Sequence, residues 1–145
     1  MDNSRLNLEK QVLARKLPSN MYLFREMGTD NAHLLIGART NSRNVYTLKI
    51  MLRNFPNSVP DVFTTKPLKD RQGKNLEVSH ELHNYGTTNG ETKICHYPNN
   101  CWRPNVSLYK VYIKCRLWLE CYEIYLITGQ SIDSLINEIN RQSGN

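Results

Sequence analysis

The chain has 145 residues and a mass of 16.9 kDa, enough for one hydrophobic core and too few for two comfortable domains, so residues 1–145 are read as a single domain. Hydrophobic residues make up 39% and charged residues 22%, an ordinary balance for a soluble globular domain, and the absence of a long apolar run argues against a membrane span. The net charge of +6 is unevenly placed: Arg39, Arg43, Lys49 and Arg53 lie between Asp30 and Asp61, and Lys93, Arg103, Lys110, Lys114 and Arg116 lie between Glu91 and Glu120, with no acid in either interval. Such stripes suit an acidic protein surface or tail, or nucleic acid.

Asn3 or Ser4 is positioned to cap a first helix running through Leu17, with Leu6, Leu13 and Leu17 on one side and Pro18 ending it. The amino terminus has no apolar centre of the kind a signal peptide needs, so a cytoplasmic location and reduced cysteines are expected. From Tyr22 the texture changes. MYLFREM, HLLIGAR and VYTLKIML read as short strands separated by the turn compositions GTDN and TNSRN. In the third, Tyr46, Leu48, Ile50 and Leu52 alternate with Thr47, Lys49, Met51 and Arg53, as in a strand covered on one face. Pro56 and Pro60 bracket a rigid turn before a fourth strand around Val62 and Phe63. The close spacing predicts a four-stranded antiparallel meander.

Residues Leu68 to Asn100 show little periodicity and much Gly, Asn, Thr and His, and read as one long irregular loop of the kind that usually carries function. Ser107 then opens a long helix. Leu108, Val111, Tyr112, Cys115, Trp118, Leu119, Tyr122, Tyr125 and Leu126 follow three-and-four spacing until Thr128-Gly129. Ser131 caps a last helix with Ile132, Leu135, Ile136 and Ile139 on its apolar side. The predicted class is α+β, with helices segregated from one antiparallel sheet.

The thiols divide into two kinds. Cys115 and Cys121 lie on the long helix and read as packing residues. The pairs Cys95/Cys101 and Cys115/Cys121 have too many intervening residues for a structural zinc pair, and no metal or cofactor is expected. Cys95 sits in a stiff polar loop, KICHYPNNCWRP, with Lys93 and His96 beside it and no acid close in sequence, surroundings that favour thiolate. Cys101, next to Trp102, is either a second reactive thiol or a packing residue. Upstream, His83, Asn84 and Tyr85 supply a candidate base and a candidate amide donor to an oxyanion.

The order of these motifs resembles the ubiquitin-conjugating-enzyme family over about residues 4 to 128. Tyr46-Thr-Leu-Lys-Ile followed by Phe55-Pro56 and Val59-Pro60-Asp61-Val62 is similar to that family's third-strand and proline-turn signature. His83-Asn84-Tyr85 and Ile94-Cys95 resemble its histidine–asparagine motif and active site, with Asn84 where the eukaryotic relatives have proline. The bacterial branch found in type II CBASS anti-phage operons is more similar still. It has a His-x-Tyr element, a Leu-Cys-x-Tyr active site, a Trp-x-Pro and a helix ending in Thr-Gly; here these are His83-Asn84-Tyr85, Ile94-Cys95-His96-Tyr97, Trp102-Arg103-Pro104 and Trp118-Leu119 through Thr128-Gly129.

The resemblance implies a ubiquitin-conjugating-enzyme-like fold and a cysteine-dependent acyl transferase. Cys95 would carry, as a thioester, the C-terminus of the operon's cGAS-like cyclic-oligonucleotide synthase (a CD-NTase) and pass it to an amine such as an acceptor lysine, regulating antiviral defence. His83, Asn84 and Tyr85 would line the site, Asn84 being either an oxyanion donor or simply the middle residue of His-x-Tyr. No glycine-rich phosphate loop or adenylating domain is present, so the acyl group must arrive already activated or be taken from an existing peptide bond. The alternatives are an inactive conjugating-enzyme-like binding module and a basic nucleic-acid-binding domain. The second is disfavoured because no ordered set of exposed aromatics accompanies the charges.

Overall fold

Helix α1 (Asn3–Lys16) begins where the Asp2 carboxylate turns back onto the Arg5 amide, 2.8 Å away. The cap is thus Asp2 and not Asn3 or Ser4; a carboxylate also complements the positive end of the helix dipole. The computed structural model describes residues 1–142. Leu13 is wholly buried on the inner side of α1, and Glu9 is buried with it. The Glu9 carboxylate accepts from Arg5 Nε at 2.7 Å and from the Leu108 amide at 2.7 Å. It therefore neutralises a cation and satisfies the first free amide of the next long helix, which is how a buried acid is tolerated.

The sheet is wholly antiparallel and has six strands in the order β1-β2-β3-β4-β6-β5: β1 (Tyr22–Arg25), β2 (His33–Arg39), β3 (Val45–Met51), β4 (Val62–Thr64), β5 (Asn84–Thr88) and β6 (Glu91–Ile94). The first four form the expected meander. Leu34 pairs with Ile50 and Ile36 with Leu48, all four within 1% of full burial, so the alternating face is the core face. The last two strands lie in the segment expected to be irregular. They form a hairpin closed by Asn89 and Gly90, both at positive φ (54° and 78°), the backbone of a tight turn for which Asn-Gly is the preferred pair. Strand β6 then inserts beside β4, with Val62 opposite Ile94 and Thr64 opposite Thr92.

Helix α2 (Leu108–Thr128) is capped by Ser107, whose hydroxyl accepts from the Lys110 amide at 3.0 Å, and stops at Gly129 in the left-handed region with φ 78°. Its buried face holds every expected residue except Leu126, which is exposed in the last turn of the helix, and it also buries Cys121. Helix α3 (Ile132–Gln142) follows at once, with Ile132 and Leu135 buried. Among the described residues, no helix is long and apolar enough to cross a membrane. The fold is α+β, with an N-terminal helix, one antiparallel sheet and C-terminal helices.

Two short motifs far apart in sequence meet beside α1. The Trp102 indole N–H donates to the Pro56 carbonyl at 2.8 Å, and its ring meets Phe55 edge-on at 6.1 Å. Arg5 lies over the Phe55 ring at 4.8 Å and donates to the carbonyls of Pro104 and Val106. The Phe-Pro and Trp-x-Pro elements thus brace the loop between β6 and α2, where the candidate nucleophile sits.

Candidate functional site

Strand β6 ends at Ile94, buried to 1% exposure, and the next residue is Cys95. An apolar anchor in the sheet therefore fixes the backbone one residue before the thiol. The Cys95 amide donates to the His83 carbonyl at 2.9 Å, and the Trp118 indole N–H of α2 donates to the same carbonyl at 2.7 Å. His83 holds φ 43°, an uncommon value for a residue with a side chain. The His83 peptide is thus a junction joining β6, α2 and the turn before β5.

The four candidate residues come together, in different ways. Cys95 is half-buried, and the Tyr85 hydroxyl donates to its Sγ at 3.4 Å. That hydrogen bond, followed by partial burial, pushes the Tyr85 phenol up to about 12, so it stays protonated and remains a donor. Lys93 lies over the Tyr85 ring at 4.8 Å and pairs with Asp61 at 3.2 Å. The acid-free surroundings expected from sequence are therefore corrected: Asp61, brought in by the β4–β6 pairing, offsets the Lys93 charge.

Asn84 is buried at 3% exposure; its Oδ1 accepts from the Gly86 amide at 2.8 Å, and its Nδ2 is shielded from solvent without a partner. A buried amide donor left unpaired costs free energy, about 1–3 kcal/mol. The His83 imidazole is turned to α3, with Nε2 2.7 Å from Asp133 Oδ1. Its contact with Cys95 runs through the backbone.

Cys95 stands between two clefts. One, of about 440 Å³, lies between the Cys95–Cys101 loop, α2 and α3 and is lined by His80, His83, Tyr97, Leu117, Trp118 and Ile136 among others. The other, of about 270 Å³, is lined by Asp61, Tyr85, Lys93 and Asn99. Cys95 and His96 line both. Cys101, exposed in a 3-10 turn (Asn99–Cys101), opens on the larger one. Cys115 and Cys121 are in the core, where burial pushes both thiols up, Cys121 to about 11 with Glu120 adding to the effect. Neither is a nucleophile at neutral pH.

His96 departs from expectation. The residue as a whole is half-buried, yet both ring nitrogens are sealed from solvent without a hydrogen-bond partner. This burial pushes it down to about 4, against weaker opposing effects of the Ile94 backbone and the Asp61 charge. At neutral pH it is uncharged and adds nothing positive beside the thiol. A consequence can be measured. The folded value lies below the ordinary 6.5, so the unfolded chain binds the extra proton first as pH falls. The neutral ring's contribution is complete above pH 6.5 and is lost progressively between 6.5 and about 4, by about 3 kcal/mol. His80, His83 and Lys114 face the same cavity, so urea unfolding across this range should be compared between wild type and His96→Gln. The variant is expected to lose most of the wild-type slope; an unchanged slope assigns the effect to the neighbours.

Sequence reasoning missed Asp133, which is fifty residues from His83 and carries no local signal. The basic stripes also look different in three dimensions: Lys49 pairs with Glu91 at 2.6 Å, and Arg116 donates to the Arg39 carbonyl. Set against known protein families, curated proteins and solved structures, the chain matches none.

Proposed function

We propose that this protein is a cysteine-dependent acyl transferase with a ubiquitin-conjugating-enzyme-like fold. In this reading Cys95 accepts the C-terminal acyl group of a partner, the cyclic-oligonucleotide synthase implied by the motif resemblance, and hands it to an amine. The observation that carries the reading is the placement of Cys95: a half-exposed thiol at the end of a rigid strand, bonded to a tyrosine hydroxyl, with a cleft on either side. A chain tail lying along one cleft reaches the sulfur, and an amine approaches from the other.

The steps balance without a cofactor. The Cys95 thiolate attacks the carbonyl carbon of an already activated C-terminus, the leaving group departs with its electron pair, and a thioester forms. An amine then attacks the same carbon and loses a proton, and the thiol is regenerated. Tyr85 steers the sulfur. The Asn84 amide, shielded from solvent opposite the buried Ile94 and lining neither cleft, serves as an oxyanion donor only if the bound tail uncovers it.

The binding-only alternative has one observation in its favour, namely that the His83 imidazole is occupied by Asp133 and is not turned to the thiol. The nucleic-acid alternative is weakened by the ion pairs of Lys49 and Lys93. The test is to mix the protein with a cyclic-oligonucleotide synthase whose C-terminus has been prepared as a thioester and to run non-reducing gels. A covalent adduct that added thiol dissolves is the expected result. Normal binding of the synthase with no adduct would establish the binding module instead.

A further inference from the structure

We infer that His80, His83 and Asp133 form a binding site for a divalent transition-metal ion of the zinc class, at the wall of the larger cleft beside Cys95. One ligand atom from each residue lies within 4.8 Å of the other two. Asp133 Oδ1 is 2.7 Å from His83 Nε2 and 3.6 Å from His80 Nε2. Ligand atoms bonded to a tetrahedral zinc ion at about 2.0–2.1 Å stand roughly 3.3–3.5 Å apart, so the observed separations bracket the required ones. Small side-chain adjustments complete the set, and a fourth position remains for water.

The arrangement is organised by backbone as well as by side chains. The His83 amide donates to the His80 carbonyl at 3.1 Å, a turn that brings the two rings to one side, 5.4 Å between centroids. The Asp133 amide donates to the Glu81 carbonyl at 2.9 Å, which clamps that turn to the start of α3 between the two histidines. The second carboxylate oxygen of Asp133 accepts from Asn137 Nδ2 at 3.4 Å, an outer contact of the kind that orients a ligating carboxylate. Two imidazoles with one carboxylate suit zinc and its neighbours, whereas calcium and magnesium require mostly oxygen. The His80 side chain is 85% exposed, which leaves an entry path.

The inference does not depend on the chemistry assigned to Cys95, and its test reads binding alone. Wild-type protein is titrated with zinc by calorimetry and with cobalt(II) in the visible spectrum. One equivalent should bind, with the visible absorption of a four-coordinate cobalt ion. His80→Ala, a change at an exposed position, and Asp133→Asn, which preserves size, should each weaken binding by at least about tenfold. His33→Ala, on β2, should bind as wild type does. Circular dichroism checks that each variant is folded. Absence of saturable binding overturns the inference, as does binding that His80→Ala leaves unchanged or a cobalt–thiolate band that disappears on removal of Cys95 or Cys101.

Discussion

Cys95→Ala is expected to reduce formation of the thiol-sensitive adduct by on the order of 10³-fold or more, in effect to nothing, while Cys101→Ala leaves it close to wild type. Both thiols open on the larger cleft, so access does not separate them. Support does. Cys95 follows a residue locked in the sheet, its amide is held by the His83 carbonyl, and its sulfur accepts from Tyr85. Cys101 sits in a single 3-10 turn with its sulfur near the adjacent Asn100 side chain. A nucleophile needs a fixed position, and of these two thiols Cys95 has the support that fixes one. Tyr85→Phe removes one donor to sulfur and should cost up to about tenfold, the value of one such hydrogen bond. The measurement is adduct yield against time on non-reducing gels. An adduct that survives Cys95→Ala and vanishes in Cys101→Ala overturns the assignment.

Trp118→Ala should destabilise the fold by roughly 3–5 kcal/mol, read as a shift in the urea midpoint. The indole is 1% exposed and stacks on Tyr122 at 5.5 Å with planes 10° apart, so truncation leaves a large cavity under α2. It also removes one of the two donors to the His83 carbonyl. Trp118→Phe separates the two effects: it keeps most of the packing and loses the N–H, at about 0.5–1.5 kcal/mol for one hydrogen bond, since the Cys95 amide still donates to the same carbonyl. Because the other donor is the Cys95 amide, the Phe variant should also slow adduct formation, whereas a purely structural tryptophan predicts only lost stability. A Trp118→Ala protein as stable as wild type but inactive would show that the ring serves the cleft and not the core.

Much of the architecture was legible locally. The α1 and α2 stripes and the alternation in β2 and β3 are periodic patterns, and the Ser107 and Gly129 helix ends follow from the chemistry of caps. The β5–β6 hairpin had a signal in Asn89-Gly90, but the flanking strands hold mostly small polar residues. Thr87 and Thr92 join by a hydroxyl pair at 2.7 Å, and Thr92 also receives the Leu68 amide, so this part of the sheet is held by hydrogen bonds where hydropathy shows nothing.

The identity of the candidate residues Cys95, His83, Asn84 and Tyr85 follows from the sequence alone, because loop composition and motif order are properties of the chain. What each side chain does was decided in three dimensions. The β4–β6 pairing carries Asp61 to Lys93, the packing of the loop seals the His96 nitrogens, and α3 folding back delivers Asp133 to His83. In all three cases the partner or the shielding comes from a distant element. Burial and charge are set by what surrounds a group in space, and sequence proximity is silent on neighbours that only the closed chain brings together.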